Sequence, residues 1–237
     1  MSSDPLQRPG GQAASVASAE QGRPRGRLFI VSGPSGAGKT TLSGAALRAF
    51  PDLTLSVSCT TRSPRGGEVD GVQYSFVDAP TFAKMVERGD LAEWAQVHGY
   101  SYGTPRAPLD GALVEGRDML LDIDVQGAAQ VRALYPRAVS VFLLPPDRAT
   151  LESRLRGRGT DSEAVVQRRL ENACREIERA VDYDHVIVNR DREAAIAQFE
   201  SIVRDAHRPG GAPGPVHRAG MSEAGLLAFL RTFTGEV

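Results

Sequence analysis

Short apolar runs punctuate the chain at 28–31, 119–124, 139–144 and 185–189. Each is rich in Val, Ile and Leu and flanked by Gly, Pro, Asp or Asn. Each is too short for a helix and predicts a buried strand. Residues 53–58 alternate apolar and polar and predict another strand, and 74–77 a further one. Between these runs the apolar positions recur at helical spacing. Helices are predicted over 40–47, 79–88, 105–115, 127–134, 148–156, 162–181 and 192–207. Gly89 and Gly116 close two of them, and Ser162 is placed to cap the long charged one. Residues 91–97 fit neither period. Strands alternating with helices predict an α/β fold built on a parallel, doubly wound sheet.

The flanks read differently. Residues 1–26 are Gly, Pro, Ser, Ala and Gln with almost no large apolar side chains, which predicts a disordered tail. Residues 208–220 carry Arg208-Pro209-Gly210-Gly211-Ala212-Pro213-Gly214-Pro215 and predict a linker. Beyond it, Leu226, Phe229, Leu230 and Phe233 fall at i, i+3, i+4 and i+7, one face of a short helix within 221–237. Such a helix is marginal alone and needs a surface to dock on.

Composition narrows the classes. The chain of 237 residues can bury a sizeable core, and its net charge of −1 gives no electrostatic case for binding a nucleic-acid polymer. No apolar run approaches a membrane span, and the first residues lack the apolar region of a secretory signal. A cytoplasmic location is the expectation. Cys59 and Cys174 have no metal-ligand or redox-motif spacing.

One stretch carries chemistry on its face. Gly33-Pro34-Ser35-Gly36-Ala37-Gly38-Lys39-Thr40 matches G-x-x-x-x-G-K-[ST], the phosphate-binding loop, between a predicted strand and a predicted helix. Glycines let the backbone curl so that several N–H groups face one set of phosphate oxygens. The helix N-terminus, here with Thr41 in its first turn, adds partial positive charge. Lys39 reaches the outer phosphates, and the Thr40 hydroxyl suits Mg2+. Only Lys39 and Lys84 are lysines among 28 basic residues, so a lysine stands where the motif needs one.

Further blocks follow in order. They are Ser56-Val57-Ser58-Cys59-Thr60-Thr61-Arg62-Ser63-Pro64-Arg65-Gly66-Gly67-Glu68-Val69-Asp70-Gly71-Val72-Gln73-Tyr74, Leu91-Ala92-Glu93-Trp94-Ala95, Tyr100-Ser101-Tyr102-Gly103-Thr104, Leu121-Asp122-Ile123-Asp124-Val125-Gln126-Gly127 and Arg154-Leu155-Arg156-Gly157-Arg158-Gly159-Thr160. With them the chain resembles the guanylate kinases from about 27 to 207. The resemblance implies a phosphate-loop kinase fold with a small GMP-binding subdomain at about 58–104 and a helical lid at about 154–169. It implies phosphorylation of GMP, and of dGMP, by ATP with Mg2+, in a monomer or homodimer.

The same resemblance implies residue roles that the chemistry supports. Arg62 and Arg65 suit the GMP phosphate, since guanidinium forks match phosphate oxygens. Tyr74 and Tyr102 donate phenolic O–H to it. Glu93 accepts from the guanine N1–H and N2–H, with Ser58, Gly103 and Thr104 beside it. Adenine lacks the N1–H and would leave that carboxylate facing a ring nitrogen. Asp122 and Asp124, two apart on a predicted strand, share one side of it. Asp124 is placed toward GMP and Asp122 toward the metal. Arg154, Arg158 and Arg169 are the lid arginines over the ATP phosphates, and Asn189 lies near adenine. Arg156, Arg168 and Arg175 read as a solvated face. Two rivals are an interaction module that keeps the fold without catalysis, and a kinase for another monophosphate. The complete phosphate loop argues against the first, and Glu93 with Ser58 and Thr104 against the second.

Overall fold

The computed structural model describes residues 26–97, 99–157, 163–207 and 220–234. Residues 1–25 of the predicted tail (1–26), residues 208–219 of the linker, Arg158 and Ser162 lie outside the described residues.

A five-stranded parallel sheet forms the centre. Its strands are β1 (Leu28–Ser32), β2 (Leu53–Leu55), β7 (Asp118–Asp122), β8 (Val139–Leu144) and β9 (His185–Val188). They lie in the order β2-β7-β1-β8-β9. The middle strand β1 is buried along its whole length, which is why it reads as a continuous apolar run rather than an alternation.

Helices cover both faces. Alternate residues Phe29 and Val31, with Leu120, Val141 and Leu143, pack on α1 (Lys39–Ala49) and α7 (Arg192–Ala206). Leu28, Ile30, Met119, Leu121 and Phe142 face α3 (Arg106–Val114), α4 (Val125–Leu134), α5 (Arg148–Arg156) and α6 (Glu163–Glu178). This is the expected doubly wound α/β sheet. A 3-10 turn, Arg179–Asp182, ends the long helix earlier than the expected 181.

A second sheet stands beside the first. It holds β3 (Cys59–Thr60), β4 (Ser75–Phe76), β5 (Leu91–Val97) and β6 (Tyr100–Pro105), in the order β4-β3-β6-β5. Helix α2 (Ala79–Arg88) runs before β5, with the Asp78 side chain accepting from the Thr81 N–H and Gly89 closing it at φ 69°.

Three local expectations change. The strand expected over 53–58 stops at Leu55, and a separate strand in the other sheet begins only at Cys59. Leu53–Leu55 pairs with β7, and Cys59–Thr60 pairs with β4 and β6. Strand β6 has no apolar run and forms through its antiparallel ladders with β3 and β5. Asp124 is not on a strand: β7 stops at Asp122, and the Asp124 carboxylate caps α4, accepting from the Gly127 N–H at 2.8 Å. An aspartate there satisfies an orphan donor of the first turn, which ends the strand's claim on it.

The last helix, α8 (Glu223–Thr234), is seated on the domain. Ser222 Oγ accepts from the Gly225 N–H, and Leu226, Leu230 and Phe233 are buried in the cluster that holds α5 and α6. Phe229 is packed against that cluster and half-buried, and Leu227 is exposed.

Candidate functional site

Parallel strands deliver their C-terminal ends to one edge of the sheet, where α/β proteins place ligands. Here β1 delivers the glycine loop, and β7, register partner of β1 at Val31 and Asp122, delivers Asp122. Backbone geometry shapes the loop. Gly33 has φ 150°, and a Cβ there would meet the Leu143 carbonyl at 2.3 Å. Gly38 has φ 104° and closes the loop as the N-cap of α1, with no side-chain cap and no acidic residue in the first turn. A helix start left without a capping side chain is ready for an anion. Ala37 is buried, while Pro34, Ser35 and Gly36 line the turn before it. Lys39 Nζ donates to the Gly33 carbonyl at 2.6 Å and so lies folded along the loop. Thr40 and Thr41 are exposed on the first turn of α1.

Two other elements hold this loop. Arg154, on α5, donates through Nη1 to the Gly36 carbonyl at 3.2 Å. Asn189, just after β9, donates through Nδ2 to the Ala37 carbonyl at 2.8 Å. The amide of Asn189, expected near adenine, is engaged with the loop backbone. Arg169 is half-buried on α6. Arg156, expected on a solvated face, bridges α5 to α6 by pairing with Glu152 and Glu163.

The second sheet presents a different chemistry. Glu93 on β5 is 4% exposed, whereas its neighbour Trp94 is 42% exposed. Thr104 Oγ1, fully buried, donates to Glu93 Oε1 at 2.7 Å. Burial pushes the Glu93 carboxyl up to about 7; the Thr104 hydrogen bond opposes this, and Asp124 adds to it. Gly127 makes room for the carboxylate, since a Cβ there would stand 2.3 Å from Glu93 Oε2. Gln130 of α4 clasps the adjoining backbone, donating to the Trp94 carbonyl at 2.7 Å and accepting from its N–H at 3.2 Å. Glu93 is thus held on rigid backbone tied to the central domain. Ser58 is half-buried next to β3. Gly103 is squeezed, because a Cβ there would lie 2.9 Å from both the Glu93 carbonyl and Leu91 Cδ1.

Arg62 is 6% exposed and anchors the loop after β3. Its Nε donates to Tyr102 OH at 3.3 Å, and its guanidinium lies over the Tyr74 ring at 5.5 Å. Tyr74 and Tyr102 meet edge to face at 5.8 Å. Arg62, Tyr74 and Tyr102 therefore come together. Sequence reasoning missed their fourth member. Glu68 receives the Arg62 fork in two bonds of 2.8 and 2.9 Å, and the Arg65 N–H at 2.7 Å. Glu68 holds the Arg62 guanidinium firmly charged, and Arg62 in turn pulls the Glu68 carboxyl below its usual range. A fork and a backbone N–H converging on two oxygens is a set that also suits a phosphate. The Arg65 side chain is exposed.

Two further carboxylates lie within reach of the Lys39 charge. Asp122 is pushed up by burial and partly restored by Lys39. Glu176 of α6, not singled out from the sequence, is pushed up to about 7 by burial, with Lys39 opposing and Asp124 reinforcing. Helical spacing puts Arg169, Asn172 and Glu176 on one half-buried polar stripe of α6. That stripe, beside an otherwise apolar buried face, was the available signal.

The chain matches the family model described as "Guanylate kinase" over residues 25–206. The chain belongs to the guanylate kinase family. It is 52% identical over 181 residues to a guanylate kinase of Nitrobacter winogradskyi, spanning 76% of this chain and 83% of that protein. It is likewise 52% identical over 188 residues to one of Anaeromyxobacter dehalogenans, spanning 78% and 83%. The crystal structure of guanylate kinase from Anaplasma phagocytophilum superposes with a TM-score of 0.66 at 32% identity, covering 79% of this chain and 89% of that one. No helix among the described residues is long and apolar enough to cross a membrane.

Proposed function

We propose that this chain carries out the reaction its family is named for, moving the γ-phosphoryl group of ATP to GMP, and to dGMP. The observation that carries the reading is the buried Glu93–Thr104 pair in a domain that also holds a complete phosphate loop. A carboxylate with one oxygen engaged and burial against its charge is poised to accept two N–H donors from a planar base. Guanine presents such a pair at N1 and N2. Adenine offers no N1–H, and the carboxylate would face a lone pair.

Position and residue chemistry support the following roles. The loop from Gly33 to Thr40 and the start of α1 cradle the ATP phosphates, with Lys39 swinging from the Gly33 carbonyl to their outer oxygens. Arg154 and Arg169 cover the donor side, with Arg158 assigned from the sequence. Arg62, Tyr74, Tyr102 and Arg65 receive the GMP phosphate, which competes with Glu68 for the Arg62 fork. Ser58, Gly103 and Thr104 frame the base with Glu93, and Asp124 lies beside that carboxylate.

No general base is needed. A GMP phosphate oxygen is already anionic and attacks the γ-phosphorus, while the bond to the β–γ bridging oxygen breaks and ADP leaves. The protein's part is alignment and charge neutralisation. The donor atoms around the loop suit Mg2+: the exposed Thr40 hydroxyl and the Asp122 carboxylate, pushed up by burial, are hard oxygen ligands, and among the described residues no cluster of three or more His, Cys, Asp or Glu forms a cage. Such an ion, when bound, supplies neutralisation of the phosphate oxygens.

The test is ADP release from ATP in the presence of GMP, dGMP, AMP, UMP or dTMP. GMP and dGMP should be the efficient acceptors. Equal turnover with AMP or a pyrimidine monophosphate would overturn the reading.

A further inference from the structure

Helix α8 lies beyond residues 25–206, the part that matches the family. Its contacts are selective. The Phe233 carbonyl, one of the final four of α8 that lack a partner within their own helix, accepts from two groups at once. One is Arg148 Nη1, from the first turn of α5; the other is Cys174 Sγ, from the middle of α6, at 3.2 Å. Arg148 Nη1 also lies 3.7 Å from the same sulfur. A guanidinium at a helix C-terminus meets the negative end of its dipole. One carbonyl of α8 therefore pins α5 to α6.

The apolar side of α8 reinforces the pin. Leu226, Leu230 and Phe233 share a cluster with Leu151 and Leu155 of α5 and with Val166, Leu170 and Ala173 of α6. The third contact goes elsewhere. The Arg190 guanidinium lies 5.8 Å over the Phe229 ring, and Phe229 packs edge to face on Phe233 at 5.5 Å. Arg190 follows Asn189, whose amide holds the phosphate-loop carbonyl of Ala37.

The elements that α8 touches carry the donor side. Helix α5 carries Arg154, bonded to Gly36, and α6 carries Arg169 and Glu176; the turn after β9 carries Asn189. The hydrogen bonds and ring contact described above take α8 to α5, to α6 and to the turn after β9. We propose that α8 is a clamp for the ATP side of the site. It fixes α5 and α6 to each other and to the Asn189 turn, and so positions Arg154, Arg169 and Asn189 against the phosphate loop. Phe233 and Arg148 are its positioning residues. The proposal rests on the reading of the phosphate loop as the ATP site.

The clamp predicts a substrate-selective defect. Steady-state kinetics with ATP and GMP varied separately would be measured on the full chain, on a chain ending at residue 219, and on full-length Arg148→Met and Arg148→Lys. Truncation should raise KM for ATP at least about fivefold, a modest coupling between sites, with KM for GMP within about twofold of the parent. Arg148→Met, which keeps the stem and loses the donor, should show the same split more weakly. Arg148→Lys, which keeps a donor, should recover part of it. Should the truncated chain fail to fold, the two Arg148 variants decide. An unchanged KM for ATP, or an equal rise for both substrates, would overturn the clamp. An inactive parent chain would instead overturn the reading of the function on which it rests.

Discussion

The charge state of Glu93 can be followed through GMP binding. Its carboxyl rises from an ordinary value of 4.5 to about 7, chiefly because it is 4% exposed. At 1.36 kcal/mol per pH unit, a rise of this size means that charging the buried group costs about 3 kcal/mol more than in water. The free protein is therefore mostly protonated at Glu93 below neutrality. Guanine donates two N–H groups to the charged form, so binding selects the ionised carboxylate and releases a proton. The apparent affinity scales with the ionised fraction, about one tenth at about pH 6 and about nine tenths at about pH 8. GMP should thus bind about tenfold more tightly at the higher pH from this group alone. The phosphate of GMP titrates in the same range, so the Glu93 share is the difference between the parent and Glu93→Gln, which keeps every other group. Calorimetric titration of GMP over that range gives both slopes. Parallel slopes for the two proteins would refute a Glu93 that must ionise to read guanine.

Three further outcomes follow. Arg62→Ala should weaken GMP at least about tenfold, as loss of a charge-assisted fork does, and leave ATP binding near its parent value; equal weakening of both in binding titrations would remove Arg62 from the acceptor side. Gly127→Ala gains helix propensity in α4 but sets a Cβ 2.3 Å from Glu93 Oε2, so KM for GMP should rise several-fold while KM for ATP holds. Unchanged GMP kinetics would show that Glu93 moves without consequence. Glu176→Gln tests the other raised carboxyl. A carboxyl whose folded pKa is raised to about 7 costs nothing well below its unfolded value of 4.5, costs more as pH climbs between the two, and costs most above the folded value. The variant should therefore melt several degrees higher at about pH 8 and unchanged at about pH 4. A melting temperature that is equal at the higher pH would contradict a half-buried Glu176 that is costly to charge.

Much of the central domain is legible in the order of residues. Strands such as β8, buried on both faces, read as unbroken apolar runs, and the glycine loop is recognisable by motif and context together. The second sheet is harder to read because its polarity is inverted. On β5 the glutamate faces inward and the tryptophan outward, so 91–97 obeys neither period; the site has taken the inner face. Strand β6, with two tyrosines, a glycine and a proline, is made by its partners rather than by its own pattern. Alternation over 53–58 marks extended chain but does not show that β2 ends at Leu55 or that the chain enters the other sheet at Cys59. Asp124 shows a similar ambiguity, since aspartate after an apolar run suits a strand end and a helix cap equally. Within the site, Arg62, Tyr74 and Tyr102 were nameable, whereas Glu68 was not: an acidic residue in a Gly- and Arg-rich loop looks like solvated charge until its partner's fork is seen. Glu176 was hidden among the many charges of α6.

The account turns on one transfer between two nucleotides held at the two sheets. Phosphorus-31 NMR of the protein with ATP, GMP and Mg2+ observes that transfer directly. GDP and ADP should appear together, one for one, with no matching growth of inorganic phosphate. Phosphate released in step with ADP, or GMP left unconverted by a folded chain, would contradict it.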